Sequence, residues 1–128
     1  FSNKMLRGEV PTIYGDGNQV RDYVYVGDVA RANLLSLRQL DSISLPSSID
    51  DHAFNIGPSV GTSVNELYSL LSSIIGFKER AIHDEPRKGE LYRTFLNIDK
   101  AKDKLGFKPS VSLRDGLEMT VNYFRAMK

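Results

Sequence analysis

Arg21 is the first residue of this chain whose type and setting suggest chemistry. It follows the turn Gly15-Asp16-Gly17-Asn18 and precedes the aromatic and β-branched run Tyr23 to Val26. The planar guanidinium of arginine meets two oxygens at once, and backbone N–H groups of a glycine turn can add further donors. The pattern therefore predicts a site for a phosphate or a carboxylate at Arg21. A surface hairpin whose arginine pairs with a neighbouring acid is the alternative that the local sequence leaves open.

Two other segments carry polar side chains that suit a ligand. Asn55 lies at the end of the apolar run Ala53 to Ile56, and ligands of open α/β sheets bind beyond the carboxyl ends of strands. In Arg87-Lys88-Gly89-Glu90 the glycine lets the backbone approach a ligand, and Glu90 can accept hydrogen bonds from sugar hydroxyls. The alternatives are an asparagine that bonds its own turn and a solvated charged loop.

Other catalytic patterns are missing from the sequence. His52 and His83 have no partners at metal-ligand spacing, so no metal site is expected. The chain has no Tyr-x-x-x-Lys pair, and Gly15 and Gly17 lack the third glycine of a dinucleotide-binding fingerprint. The residues alone therefore predict neither a catalytic set nor a cofactor site in this chain.

The candidate residues are predicted to lie on or beside short strands that alternate with helices. Clusters of β-branched and aromatic residues predict strands at Thr12 to Tyr14, Tyr23 to Val26, Ala53 to Ile56 and Arg80 to His83, with an extended piece at Thr94 to Leu96. The polar segment Ser42 to Asp51 is expected to be a surface loop. This alternation predicts the α/β class.

Capping residues and helical spacing predict where the helices lie. The clearest helix begins with a capping box of Ser63 and Glu66 and ends at Gly76. The other expected helices are one that ends over Lys4 to Gly8, one capped by Asp28, a brief one at Asp99 to Leu105, and a last one capped by Ser112.

The composition limits the classes of function. A chain of 128 residues suffices for one domain. Its 17 basic and 16 acidic residues are nearly balanced, which argues against nucleic-acid binding driven by charge. The absence of cysteine fits a cytoplasmic protein, and no apolar run approaches the roughly 18 residues that a membrane span needs. Because the sequence starts at Phe1 in mid-pattern, we expect residues 1–128 to be one region of a longer protein.

Three segments taken in order resemble a known family. They are GDGNQVRDYVYVGDVARA, AFNIGPSVGTSVNEL and PRKGELYRTFLNIDKAKDKLGFKPSVSLRDGLEMTVNYF. In this order and spacing they are similar to the C-terminal half of the NAD-dependent nucleotide-sugar epimerases and dehydratases, members of the extended short-chain dehydrogenase/reductase family. The UDP-glucose 4-epimerase branch resembles the chain more closely. The resemblance implies an α/β fold, the C-terminal part of a Rossmann-like fold without its N-terminal core.

The resemblance also implies which residues bind a nucleotide-diphosphate sugar. The arginine of the Arg-Asp-aromatic motif contacts the diphosphate in this family, which implies Arg21 and adds Tyr23 beside it. The Pro-Arg-x-Gly-Asp motif holds phosphate and ribose, which implies Arg87 and Glu90, although the family more often has aspartate at the second position. Asn55 matches the asparagine of the Asn-Ile-Gly motif, which contacts substrate in some members.

The activity implied by the resemblance is an NAD-dependent epimerisation. A sugar carbon is oxidised by hydride transfer to NAD, and the hydride returns to the other face of the sugar. The glycine fingerprint and the Tyr-x-x-x-Lys pair of the family lie in its N-terminal half, so this chain alone is expected to be inactive. The longer enzyme is expected to be a cytoplasmic homodimer with no nucleic-acid or membrane partner. A dehydratase or decarboxylase of the same family, and a non-catalytic nucleotide-sugar-binding module, are the alternatives.

Overall fold

The computed structural model describes residues 1–39 and 48–127. The helices in these ranges are α1 (Ser2–Leu6), α2 (Val26–Gln39), α3 (Val64–Ile75), α4 (Asp99–Leu105) and α5 (Leu113–Ala126), with a 3₁₀ helix at Ile49–His52. The strands are β1 (Thr12–Tyr14), β2 (Val20–Asp22), β3 (Gly61–Ser63) and β4 (Ile82–Asp84). The loop predicted at Ser42 to Asp51 lies mostly outside the described residues.

The strands form two small pairs. β1 runs parallel to β4, with Ile13 opposite His83. β2 runs antiparallel to β3, with Arg21 opposite Thr62. Val20 in β2 also bridges to Arg93, its N–H bonding the Tyr92 carbonyl at 2.8 Å. β2 therefore lies between β3 and the segment around Arg93, which brings residues far apart in sequence next to Arg21.

Two apolar clusters hold these elements in place. Met5, Ile13, Tyr68, Leu71 and Val121 join α1, β1, α3 and α5. Ala32, Ile98, Ala101, Leu105 and Phe107 join α2 to α4 and the residues on either side of it. Ile13 anchors β1, so the turn that follows this strand starts from a fixed point. None of the helices in the described ranges is long and apolar enough to cross a membrane.

The caps predicted for α3 and α5 are confirmed. The Ser63 hydroxyl accepts from the Glu66 N–H at 3.1 Å, and the Glu66 carboxylate accepts from the Ser63 N–H at 2.7 Å. This reciprocal pair satisfies two N–H groups that the helix itself leaves free. Gly76 ends α3 with a φ of 81°, and Ser112 caps α5 by accepting from the Asp115 N–H.

The strands predicted at Tyr23 to Val26 and Ala53 to Ile56 are wrong. β2 ends at Asp22 and Val26 already belongs to α2, while residues 53–56 have no regular structure. A β-strand is stabilised by backbone bonds to a neighbour, and no described strand pairs with either run. Two smaller shifts accompany this. β4 begins two residues later and ends one residue later than the predicted Arg80 to His83, and the bridge near Thr94 falls on Arg93.

Asp28 is not the helix cap that the sequence suggests. Because α2 begins at Val26, Asp28 lies in its first turn, where it is only 2% exposed. Its carboxylate accepts from the Ser110 hydroxyl, the Ser110 and Val111 N–H groups and the Arg31 guanidinium, at 2.6 to 3.1 Å. Burial alone would raise the pKa of Asp28, but these bonds outweigh it and lower the pKa to about 2. The carboxylate thus ties the segment before α5 to α2.

Candidate functional site

A cleft of about 330 Å³ lies at the carboxyl end of the β1–β4 pair. Because the two strands are parallel, the segments that follow them meet at this edge. The turn after β1 contributes Gly15 and Asp16, and the loop after β4 contributes Pro86, Arg87 and Glu90. Ligands of parallel sheets bind at such edges. The remaining lining residues are Tyr14, Gln19 and Tyr92.

Arg21 and Glu90 meet beside this cleft. The Nη2 atom of Arg21 lies 2.9 Å from the Oε1 atom of Glu90, and its Nη1 atom donates to the Val20 carbonyl at 2.8 Å. Both side chains are about one-third exposed, at 28% and 32%. The surface ion pair left open by the sequence is therefore present, but its acid is 69 residues away in sequence. Two of the predicted site segments are thus in direct contact.

Arg87 is held by an aromatic ring. Its guanidinium carbon lies 4.1 Å from the centroid of the Tyr14 ring, within the range of a cation–π interaction. The turn from Arg87 to Glu90 is closed by the Glu90 N–H donating to the Arg87 carbonyl at 3.2 Å. Gly89 takes a φ of 79° in this turn. The turn therefore carries the cation and the acid together into one cleft.

The charges of Arg21 and Glu90 both influence the pKa of Tyr23. Burial raises the pKa of the Tyr23 hydroxyl above its usual value of 10.0, with Arg21 opposing the rise and Glu90 adding to it. The hydroxyl consequently keeps its proton at neutral pH and can donate a hydrogen bond. Tyr23 also lines a second, more apolar groove that it shares with Leu117 and other residues of α5.

Asn55 takes a different position. Its side chain is exposed, and its amide donates to the Asn97 carbonyl at 3.2 Å. Asn97 is not among the residues that line the cleft. The Asn-Ile-Gly motif nevertheless reaches β2 through its glycine. A Cβ atom on Gly57 would lie 2.7 Å from the Oδ2 atom of Asp22. The close approach of Gly57 to Asp22 connects two of the sequence motifs.

Asp22 is a residue whose role the sequence did not suggest. Its two carboxylate oxygens accept from the N–H groups of Val60, at 3.3 Å, and Leu96, at 3.1 Å. It thereby fixes the segments before β3 and before α4 against β2, one residue after Arg21. The position of Asp22 next to Arg21 was the one feature of the sequence that could have indicated this role. Its partners could not be predicted, because they are 38 and 74 residues away.

Three residues that line the cleft were not predicted from the sequence to be site residues. Tyr14, Gln19 and Tyr92 all line it. Gln19 is buried and donates to the Tyr14 carbonyl at 2.8 Å, which fixes the backbone beneath the stacked ring. Asp16 faces the same space, and hydrogen bonds from Asn18 lower the pKa of its carboxyl. With Arg87 and two acids, the cleft suits a ligand that carries both anionic and hydroxyl groups.

The described residues do not fit a dinucleotide cofactor or a metal ion. A dinucleotide fingerprint needs a strand, a glycine turn and then a helix. Here the turn Gly15 to Asn18 leads into β2, and the space above Gly17 is filled by the side chain of Asn65. Within residues 1–39 and 48–127 no group of three or more His, Asp or Glu side chains could hold a metal ion.

Comparison with known proteins places this geometry in context. Residues 1–57 match the epimerase family described as the NAD dependent epimerase/dehydratase family. A putative UDP-glucose 4-epimerase of Methanocaldococcus jannaschii is 46% identical over 98% of this chain, which spans 37% of that protein. The chain thus covers little more than a third of its relative.

Solved structures show the same correspondence. A UDP-glucose 4-epimerase of Thermotoga maritima, crystallised with UDP-glucose, is 46% identical with a TM-score of 0.87, over 98% of this chain and 38% of that one. A mutant UDP-glucuronic acid 4-epimerase of Bacillus cereus, in complex with a fluorinated UDP-sugar and NAD, gives a TM-score of 0.87 at 30% identity, over 99% and 38%. By sequence and by fold, this α/β chain is therefore similar to the C-terminal part of UDP-sugar 4-epimerases, over little more than a third of their length.

Proposed function

We propose that this chain is the substrate-binding part of an NAD-dependent nucleotide-sugar epimerase of the UDP-sugar 4-epimerase kind. The observation that carries the proposal is the meeting of Arg21 and Glu90 at 2.9 Å beside the cleft that also contains Arg87. These residues come from two motifs that are 66 to 69 positions apart in sequence. The ligands of the similar solved structures, UDP-glucose in one and a UDP-sugar with NAD in the other, support the same class of substrate.

The charges of the two arginines match a diphosphate. A diphosphate presents two negative charges, and each guanidinium can meet two of its oxygens. Arg21 is oriented by its bond to the Val20 carbonyl, and Arg87 is oriented by the Tyr14 ring. Because both side chains are already held in place, little rotamer freedom is lost when the ligand binds. The pair would use binding energy far from the reacting carbon to place the sugar.

Glu90 has two roles in this proposal. In the structure its carboxylate accepts a hydrogen bond from the Nη2 atom of Arg21. A pair that is about one-third exposed to water contributes roughly 1 kcal/mol or less, so a diphosphate with two charges can replace the carboxylate at small cost. The released carboxylate would then accept from ribose hydroxyls, which is the role that the resemblance implies for this position.

Tyr23 and Asn55 complete the proposed binding set. The protonated hydroxyl of Tyr23 would donate to a ligand oxygen near Arg21. The exposed amide of Asn55 lies on the neighbouring segment, which Gly57 and Asp22 hold against β2. We assign Asn55 to the substrate on the basis of this connection and of its motif.

NAD and the catalytic pair belong to the remainder of the enzyme in this proposal. When bound, NAD supplies the acceptor for the hydride taken from the sugar carbon. The residues of this chain bind and orient the nucleotide end of the substrate and take no part in hydride or proton transfer. We accordingly propose that the chain alone gives no turnover, while the longer cytoplasmic protein, as a homodimer, epimerises UDP-sugars. Size-exclusion chromatography of the longer protein tests the homodimer. A coupled epimerase assay on the longer protein and on residues 1–128 tests where the activity lies, and turnover by residues 1–128 alone would contradict the proposal.

The binding proposal is tested by calorimetric titration of UDP-glucose into the protein that contains this chain. Arg21→Ala should weaken binding by roughly 10- to 100-fold, because a charged hydrogen bond contributes about 1.5–3 kcal/mol. Arg114→Ala is the matched control, since Arg114 pairs with Glu118 at 3.2 Å on the exposed side of α5. This variant should leave the affinity unchanged. Equal affinities of the wild type and Arg21→Ala would overturn the diphosphate assignment.

A further inference from the structure

The structure assigns a positioning role to Asn65, an inference that rests on the function proposed above. Asn65 lies in the first turn of α3, immediately after β3, and is half-buried. It is not among the residues that line the cleft. Its side chain instead makes hydrogen bonds to the turn between β1 and β2.

Three hydrogen bonds join Asn65 to this turn. The Nδ2 atom donates to the Asp16 carbonyl at 2.9 Å and to the Oδ1 atom of Asn18 at 3.2 Å. The backbone N–H of Asn65 donates to the Gly17 carbonyl at 2.9 Å. One residue thus bonds three successive residues of the turn, Asp16, Gly17 and Asn18.

The packing at Gly17 is as close as the bonding. A Cβ atom at this position would lie 2.1 Å from the Oδ1 atom of Asn65, so a glycine is required for the amide to fit. Gly17 also has a φ of 76°, in the left-handed region that favours glycine. The turn and the amide of Asn65 are therefore packed directly against each other and form one packed unit.

This unit sets the spacing between the two arginines. The turn begins after Tyr14, whose ring carries Arg87, and leads into β2, which carries Arg21. Asn65 itself follows β3, the strand that pairs with β2. The turn is consequently fixed from both ends and from its middle. Asn65 acts on the ligand through the placement of Arg21 relative to Arg87, without touching the ligand.

The test is a double-mutant cycle on the protein that contains this chain, read out as UDP-glucose affinity by calorimetry. Asn65→Asp keeps the volume of the side chain and removes both Nδ2 donors, so we expect roughly tenfold weaker binding. In the Arg21→Ala background the same substitution should cost much less, because the residue it positions is gone. Ser69→Ala, which removes a bond to the Asn65 carbonyl within α3, is the control and should leave the affinity unchanged.

The outcomes separate this inference from the proposed function. If Arg21→Ala alone has no effect on affinity, the proposed function fails. If Arg21→Ala weakens binding but Asn65→Asp does not, or weakens it equally in both backgrounds, the positioning role is refuted. Thermal unfolding is measured on every variant, and Asn65→Ala, which also empties the space above Gly17, should give at least the loss seen with Asn65→Asp.

Discussion

The buried carboxylate of Asp28 should make part of the stability depend on pH in a defined window. The pKa of Asp28 falls from 3.8 to about 2 on folding. One pKa unit corresponds to about 1.4 kcal/mol, so the ionised group contributes roughly 2 kcal/mol to the free energy of unfolding. Because the folded pKa is the lower one, this contribution is complete above about pH 5. It is lost as the pH falls through 3.8 towards 2.

Asp28→Asn is the substitution that reveals this contribution. The amide has nearly the same volume, but it places two N–H donors where the N–H groups of Ser110 and Val111 already point. At pH 6 we expect a loss of about 3 kcal/mol, typical of removing a buried charged acceptor. Since the variant cannot ionise, its difference from the wild type should narrow by about 1 kcal/mol at pH 3 and about 2 kcal/mol at pH 2.

The measurement is urea unfolding followed by circular dichroism between pH 6 and pH 2. The wild type and Asp28→Asn are compared at each pH, so the titration of all other groups cancels. Asp103→Asn, at an exposed carboxylate of α4, is the control and should track the wild type throughout. A constant difference between the wild type and Asp28→Asn over the whole range would refute the assignment of a depressed pKa to Asp28.

Two further predictions concern backbone geometry and capping. Gly17→Ala should lower the free energy of unfolding by about 2 kcal/mol more than Gly8→Ala does, as measured in urea. Both glycines have φ near 75°, but only at Gly17 does Asn65 lie within contact distance of an added Cβ. Equal losses in the two variants would contradict the close packing of Asn65 on the turn. Ser63→Ala should cost about 1 kcal/mol through loss of the α3 cap. Both this variant and the control Ser73→Ala, on the exposed face of α3, are measured by urea unfolding, and the control should be neutral. Similar losses of stability in the two variants would contradict the capping role of Ser63.

The parts of the fold that sequence could predict are those set by local chemistry. The cap at Ser63 and the left-handed end at Gly76 depend on residues within one helix, and both are present. The strand predicted at Tyr23 to Val26 depended on a neighbour instead, and no strand in the described ranges pairs with it. Local propensity indicates that a segment can be extended, but a partner decides whether it becomes a strand.

The same distinction applies to the site. Arg21, Arg87 and Glu90 could be predicted as candidates because each lies in a motif with its own chemical character. The contact of Arg87 with the Tyr14 ring and the hydrogen bonds of Asn65 to the turn could not be predicted from the sequence. Each of these contacts joins residues more than 45 positions apart. No local pattern encodes such pairs, since they follow from the parallel register of β1 with β4 and the antiparallel pairing of β2 with β3.

The stacking of Arg87 on Tyr14 turns the cleft into an optical reporter of its own occupancy. The chain contains no tryptophan, so an indole introduced by Tyr14→Trp would be the only one within these residues. Tryptophan is the strongest ring partner for a cation, so the guanidinium should remain in place over it. Under the proposed function, a diphosphate bound by Arg87 above the ring would change the electrostatic surroundings of the indole and hence its emission, so binding could be followed in real time without a labelled sugar.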